Sequence, residues 1–144
     1  FTSSNVDNDI ENINNAIRSF CDSRENAKFY KSLGQLKYLS CLKYVDCVLG
    51  NSSSGIIEVP SFCKATINIG NRQNGRIKAS SIIDCSNSEK SIIKAIHYSY
   101  SEPFKDSLKS VVNPYGNRGA AKKIVQIIES IKYPLDLQKK FYDI

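Results

Sequence analysis

The 144-residue sequence contains no methionine and no tryptophan, and its only histidine is His97. Because a translated reading frame starts with methionine, we expect these residues to be part of a longer protein. The lone histidine lies inside a helical pattern, so a metal site built from several histidines is excluded, and any histidine-assisted nucleophile would have to be built around it. We therefore expect no metal and interpret His97 as a surface or packing residue.

The cysteines are scattered and odd in number, and no C-x-x-C pair occurs. This pattern suits neither a disulfide framework nor a zinc cluster, so we expect free thiols in a reducing cytoplasm. No apolar run approaches the roughly 20 residues that a membrane helix needs, and no signal peptide is apparent, so no membrane partner is expected. The cysteines are Cys21, Cys41, Cys47, Cys63 and Cys85.

Positive charge is in excess, and it is unevenly distributed. The formal net charge is +6, but residues 1–25 carry two basic and five acidic groups, which leaves +9 for the remainder. The later part should therefore attract anions. No basic run with interleaved aromatics, zinc-finger spacing or RNP-like motif occurs, so we expect no nucleic acid partner. A small phosphorylated ligand is the expected anion.

Hydrophobic periodicity and turn residues predict helices that alternate with short strands. Leu36 and Leu39 are expected in the core. The order predicts a Rossmann-like three-layer α/β domain with a mostly parallel sheet, and no boundary divides residues 1–144. The predicted helices cover 8–24, 36–45, 56–62, a capping box at 86–89 continuing to about 101, 120–131 and 135–142, and the predicted strands cover 27–30, 47–49, 65–69 and 81–84.

The segment with the clearest chemistry is 46–58, which reads DCVLGNSSSGIIE. A buried strand leads into two glycines separated by four small polar residues, and a helix follows. In an α/β sheet, ligands bind at the carboxyl end of a strand, where free helix N–H groups and the helix dipole favour an anion. The segment is neither a Walker A loop nor a G-x-G-x-x-G motif. Its residues alone fit either a phosphate site or a serine-rich turn that caps a helix.

Two strings resemble a family signature. Residues 50–60, GNSSSGIIEVP, and 66–76, TINIGNRQNGR, are similar to the signature of hydrolysing UDP-N-acetylglucosamine 2-epimerases. The resemblance extends over essentially the whole chain, through FTSSNVD at 1–7, SLGQLKYL at 32–39 and NPYG at 113–116. It implies that residues 1–144 are a single C-terminal nucleotide-binding domain, the second lobe of a two-Rossmann-domain (GT-B type) enzyme, truncated at its start.

The resemblance also implies roles for particular residues. Ser52 and Ser53 would contact the diphosphate of a UDP-sugar, and Arg72 would lie beside the phosphates. Glu58 would bind the ribose hydroxyls, and the backbone of Leu33 would contact the uracil. The family's late turn reads Tyr-Gly-Asp-Gly, whereas asparagine and arginine follow Tyr115-Gly116 here, so a role for that turn does not carry over.

The implied reaction is elimination of UDP followed by addition of water, which gives UDP and N-acetylmannosamine for sialic-acid-type synthesis. Carboxylates of the first lobe would move the protons, so no catalytic residue is expected within residues 1–144, and the fragment alone is predicted to be inactive. No cofactor is implied. The full-length protein is expected to be a homo-oligomer.

Alternative functions remain open on the sequence alone. A related epimerase that acts on a UDP-2,4-diacetamido sugar would share every nucleotide contact. A sugar-nucleotide glycosyltransferase lobe would share the architecture, because fold does not fix function, although no Glu-x(7)-Glu motif is present. A non-enzymatic anion-binding module is the remaining alternative. Non-hydrolysing 2-epimerases typically show Asp-Ser-Gly-Gly where this chain has Asn51-Ser52-Ser53-Ser54, so the sequence disfavours that class.

Overall fold

One parallel sheet forms the centre of the structure. A computed structural model describes residues 1–3, 10–116 and 119–131. Within them the sheet has the order β1-β2-β3, with β1 at Cys47–Gly50, β2 at Ala65–Ile69 and β3 at Ile82–Cys85. All three strands are parallel, so their carboxyl ends lie at the same edge of the sheet. The predicted strands over 47–49, 65–69 and 81–84 are therefore confirmed to within one residue.

Six α-helices and one 3-10 helix accompany the sheet in the described residues. The amphipathic helix predicted at 120–131 is confirmed, and the one predicted at 135–142 lies outside the described residues. The helices are α1 (Ile10–Asp22), α2 (Gly34–Cys41), α3 (Ser53–Ile57), the 3-10 helix (Val59–Phe62), α4 (Glu89–Ser99), α5 (Glu102–Leu108) and α6 (Ala120–Ser130).

Strand β2 lies at the centre of the core. Ala65, Thr66, Ile67 and Asn68 are all buried, and because successive side chains of a strand point to opposite faces, both faces of β2 are covered. Helix α3 packs on the face that carries Thr66, whose hydroxyl donates to the carbonyl oxygen of Gly55. Strands in a sheet covered on both sides give the Rossmann-like α/β architecture that the sequence predicts.

The prediction of a strand at 27–30 is wrong. The structure has a single parallel bridge there, between Thr2 and Tyr30. A strand needs a hydrogen-bonding partner along its length, and among the described residues only Thr2 forms a bridge with this segment, at Tyr30. This bridge lies beside the groove described below.

The prediction that Leu36 belongs to the core is also wrong, because its exposed fraction is 81%. Leucines at steps of three residues drift around the helix, since each step turns about 300° and falls about 60° short of a full turn, so that Leu36 and Leu42 point about 120° apart. Helix α2 therefore exposes Leu36, leaves Leu39 half-buried and buries Leu42, which is its C-terminal cap.

Two details of the later helices differ from the prediction. Helix α4 is capped by Ser88 rather than Ser86, since the Ser88 hydroxyl accepts from the amide of Ser91 at 3.3 Å. Pro103, interpreted from sequence as an interruption, lies in the first turn of the unpredicted helix α5. Proline fits there because the first amides of a helix have no intrahelical acceptor.

Candidate functional site

A groove of about 980 Å³ opens where β1 and β2 end. Its walls come from the loop after β1, the segment that enters α2, helix α3 and the loop after β2. Among the described lining residues, three have charged side chains, namely Lys31, Glu58 and Arg72. These residues give the groove two cationic side chains and one carboxylate, at the sheet edge where α/β proteins bind ligands.

The serine-rich loop changes direction at once after β1. Gly50 ends the strand with a φ of 152°, a value that side chains disfavour. Ser52 then caps α3, and its Oγ accepts from the amide of Ser54 at 3.3 Å. Helix α3 starts at Ser53, three residues earlier than predicted. The Ser52 hydroxyl accepts that bond with a lone pair, so its proton remains available for an acceptor in the groove.

Gly55 is required by the close approach of α3 to the sheet. A Cβ at this position would lie 2.7 Å from Cγ2 of Thr66. The Thr66 hydroxyl also donates to the carbonyl oxygen of Gly55 at 2.7 Å, in buried surroundings. The second glycine of the GNSSSG string thus serves packing, and it fixes the serine loop against β2.

Gln73 joins the two loops that border the groove. Its Nε2 donates to the carbonyl oxygen of Asn51 at 2.7 Å, although 22 residues separate the two in sequence. Gln73 is only 3% exposed, and no described residue donates to its Oε1. This bond holds the loop after β2 beside the serine loop, so that the neighbouring Arg72 lines the groove.

Arg72 and Glu58 provide charges of opposite sign in the same groove. Arg72 is exposed and forms no ion pair or hydrogen bond with any residue in the described ranges. Glu58 is half-buried, and its Oε2 accepts from the Ser54 hydroxyl at 2.6 Å. Among the described residues the guanidinium therefore has no partner that competes with an anion, while one oxygen of the carboxylate already has a donor.

Tyr38 of α2 extends this network, and the sequence did not point to it. Its hydroxyl lies 2.6 Å from Oγ of Ser54. Burial raises the pKa of Tyr38, and the charge of Glu58 adds to the rise, although the hydrogen bond with Ser54 acts in the opposite direction. The phenol is therefore protonated near neutral pH. Ser54 and Glu58 are four residues apart, the spacing at which helical side chains meet, and this signal was available in the sequence.

The predicted site residues are only partly brought together. Ser52, Glu58, Arg72 and Leu33 line the groove, whereas Ser53 does not. Helix α3 has five residues, so few peptide dipoles add up at its N-terminus. An anion bound here would therefore depend on the hydroxyl and guanidinium groups more than on the helix dipole.

The late turn at 113–116 supports α3 from behind. The side-chain amide of Asn113 donates to the carbonyl oxygen of Ile57 at 2.8 Å and to Oγ of Ser61 at 2.6 Å. Asn113 therefore satisfies a carbonyl at the end of α3, where the helix has no further amide to offer. Asn117 and Arg118 lie outside the described residues.

Two kinds of feature are absent from the described ranges. No helix there combines the length and apolar character required to cross a membrane. No group of three histidine, cysteine or acidic side chains there is arranged to hold a metal ion. The five cysteines are all unpaired thiols, as expected.

Comparison with known proteins gives a consistent result. A family model described as UDP-N-acetylglucosamine 2-epimerase matches residues 1–129. The chain is 39% identical to the polysialic acid biosynthesis protein P7 of Escherichia coli, with 100% of the chain and 37% of that protein aligned. It is 36% identical to a GDP/UDP-N,N'-diacetylbacillosamine 2-epimerase (hydrolyzing) of Campylobacter jejuni, with 100% and 38% aligned. A UDP-N-acetylglucosamine 2-epimerase of Neisseria meningitidis is 30% identical over 74% of the chain and 28% of its own length.

Proposed function

The chain belongs to the UDP-N-acetylglucosamine 2-epimerase family, and we propose that it is the UDP-binding part of a hydrolysing 2-epimerase. It spans 37% and 38% of the length of two relatives that it matches from end to end. The observation that carries the proposal is the meeting of Arg72, Ser52 and Glu58 in one groove at the carboxyl edge of the sheet.

The diphosphate would bind beside Arg72 and Ser52. A guanidinium presents a planar fork that matches phosphate oxygens, and its hydrogen bonds to an anion are stronger than neutral ones. Arg72 has no carboxylate partner among the described residues to compete with the phosphates. The Ser52 hydroxyl adds a donor at the mouth of the serine loop. Ser53 remains a proposed diphosphate contact through the first turn of α3, on the family resemblance.

The nucleoside would extend from the phosphates toward α2. Glu58 is the carboxylate among the described residues of the groove, and a ribose offers two adjacent hydroxyls that donate to a carboxylate. Leu33 is half-buried just before α2 and lines the same groove, where its backbone would face the uracil. The nucleotide would then lie along one wall, with its anionic end at the cation and its diol at the carboxylate.

In the reaction, this part of the protein would stabilise the leaving group. Elimination breaks the bond between the sugar C1 and the UDP oxygen, and negative charge accumulates on the diphosphate. Donors already aimed at that charge lower the barrier without reorganisation. Arg72 and Ser52 would serve in this way, and water would then add to the unsaturated sugar to give N-acetylmannosamine. We propose that carboxylates outside these 144 residues transfer the protons.

A UDP-2,4-diacetamido sugar is the second candidate substrate. The Campylobacter jejuni relative is named for a diacetylbacillosamine substrate, whereas the name of the Escherichia coli relative supports a role in sialic-acid-type synthesis. The proposed contacts of this groove are with the nucleotide, which both substrates share, so they do not distinguish the two sugars.

The test uses the full-length protein. UDP-N-acetylglucosamine and a UDP-2,4-diacetamido-trideoxyhexose are supplied separately, and the products are followed by proton NMR. We expect UDP and free N-acetylmannosamine from the first substrate. Faster release from the second would favour the second candidate. Formation of UDP-N-acetylmannosamine without free sugar would rule out the hydrolysing reaction.

A further inference from the structure

Three side chains form a continuous hydrogen-bonded chain along the groove. The hydroxyl of Tyr38 lies 2.6 Å from Oγ of Ser54, and that Oγ lies 2.6 Å from Oε2 of Glu58. Tyr38 belongs to α2, Ser54 to α3, and Glu58 is the C-terminal cap of α3. All three line the groove. The chain therefore links two separate helices to Glu58, the one carboxylate among the described residues that line the groove.

The direction of these hydrogen bonds follows from the number of protons. Ser54 has one hydroxyl proton, and an ionised carboxylate only accepts. Both contacts are satisfied when Ser54 donates to Glu58 and Tyr38 donates to Ser54. Burial raises the pKa of Tyr38, which keeps the phenolic proton in place for this role. Each bond strengthens the next, since a hydroxyl that accepts a bond becomes a better donor.

The consequence is a carboxylate that is held at one oxygen and open at the other. Oε2 of Glu58 accepts from Ser54, whereas no residue within the described ranges donates to Oε1. An unrestrained glutamate loses rotamer freedom when it binds a ligand, and this loss weakens binding. A glutamate fixed before the ligand arrives avoids that loss.

We propose that Tyr38 and Ser54 are positioning residues that hold Glu58 for a vicinal diol, so that the groove selects ribonucleotides over 2′-deoxyribonucleotides. The inference rests on the proposed function, in which Glu58 binds the ribose. A diol donates two hydrogen bonds to a fixed carboxylate, whereas a 2′-deoxyribose donates one.

The test measures dissociation constants of UDP and 2′-deoxy-UDP for the full-length protein by titration calorimetry. The wild type is expected to prefer UDP by about ten-fold, the contribution of one hydrogen bond to a charged group. Tyr38→Phe and Ser54→Ala should each reduce this preference by roughly two- to ten-fold, since Tyr38→Phe removes one neutral hydrogen bond and Ser54→Ala removes that bond together with the hydrogen bond to Glu58. Tyr100→Phe is the matched control, because the Tyr100 hydroxyl donates a hydrogen bond to a carboxylate, that of Asp46, which lies outside the groove.

The variants separate a failure of this inference from a failure of the proposed function. If Glu58→Gln leaves the preference for UDP unchanged, the proposed ribose contact is wrong. If Glu58→Gln reduces the preference but Tyr38→Phe and Ser54→Ala do not, the ribose contact is retained and the positioning role is overturned. Equal weakening of UDP and 2′-deoxy-UDP by Tyr38→Phe would also overturn it, because a purely structural tie between α2 and α3 would affect both ligands alike.

Discussion

The side-chain amide of Asn68 donates a 2.7 Å hydrogen bond to Oδ1 of Asp84, and so joins β2 to β3 near the edge of the sheet that carries the groove. Asn68 is 1% exposed, so water could not replace Asp84 as the acceptor for this amide. Lys78 adds an ion pair to the same carboxylate at 2.8 Å. Asp84 is thus the acceptor for both a buried amide and a surface ammonium group.

This arrangement predicts acid sensitivity. Partial burial raises the pKa of Asp84, but the hydrogen bonds from Lys78 and Asn68 and the charge of Lys78 outweigh it, so the pKa lies below the usual carboxyl value. A carboxyl group whose pKa is lower in the folded state stabilises the fold at pH values above its unfolded pKa, near 3.9. This stabilisation is lost as the pH falls through the folded pKa. Because Asp84 is exposed, the contribution should be about 1 kcal/mol or less.

Thermal unfolding of wild type and Asp84→Asn across pH 2–7 measures this contribution. We expect the wild type to be the more stable protein at pH 7 and the difference to vanish at the acidic end. A difference that stays constant with pH would show that the charge of Asp84 has no part in it.

Removal of Arg72 should weaken UDP binding selectively. Arg72→Ala deletes a charge-assisted contact of roughly 1.5–3 kcal/mol, which lowers the affinity about ten-fold or more. Arg76→Ala is the control, since Arg76 is exposed in the same region but does not line the groove. Calorimetry at two salt concentrations completes the test, because added salt should weaken wild-type binding more than that of Arg72→Ala. Equal losses in the two variants would indicate a general charge effect.

Glu58→Gln should reduce UDP affinity by less than Arg72→Ala. Glutamine keeps the size and a carbonyl acceptor but loses the charge that makes hydroxyl donors bind strongly. Glu102→Gln alters an exposed carboxylate paired with Lys105, and should leave UDP affinity unchanged. Circular dichroism and thermal unfolding of the Glu58 variant should match the wild type. If the variant instead unfolds at a lower temperature with no separate loss in binding, Glu58 has a structural role.

Gly55→Ala should destabilise the protein, because its Cβ would lie 2.7 Å from the methyl group of Thr66. Overpacking of this kind costs about 1–3 kcal/mol. Thr66→Ser removes that methyl group and keeps the hydroxyl that donates to Gly55. The loss in free energy of unfolding should therefore be smaller in the double variant than the sum of the losses in the two single variants. Additive effects in thermal unfolding would contradict the clash.

Local sequence patterns predicted the central sheet well. The bounds of β2, Ala65–Ile69, were predicted residue for residue, since three β-branched residues, Thr66, Ile67 and Ile69, between Lys64 and Gly70 are a clear strand signal. The position of the serine loop at the end of β1 was also predicted, because it depends only on a strand followed by glycine and a helix cap. Such features are encoded by neighbours in sequence.

Contacts between distant residues could not be predicted in the same way. Tyr38 and Ser54 are 16 residues apart, and Gln73 and Asn51 are 22 apart. Their meeting depends on how α2 and the loop after β2 pack on the sheet, and no local periodicity encodes that. The start of α3 was predicted too late because three consecutive serines offer three candidate caps, of which the structure uses Ser52.

Helix α6 has a consequence for the distribution of stability in the chain. All eleven of its residues are exposed in the described structure, including Ile124 and Ile127. An isolated helix of this length is marginal in water, because packing rather than propensity stabilises most helices. Amide protons of α6 should therefore exchange with deuterium far sooner than those of β2, whose residues are covered on both faces. No hydrogen bond between described residues joins α6 to the sheet or to the groove, so within these 144 residues the helix is expected to open without disturbing either.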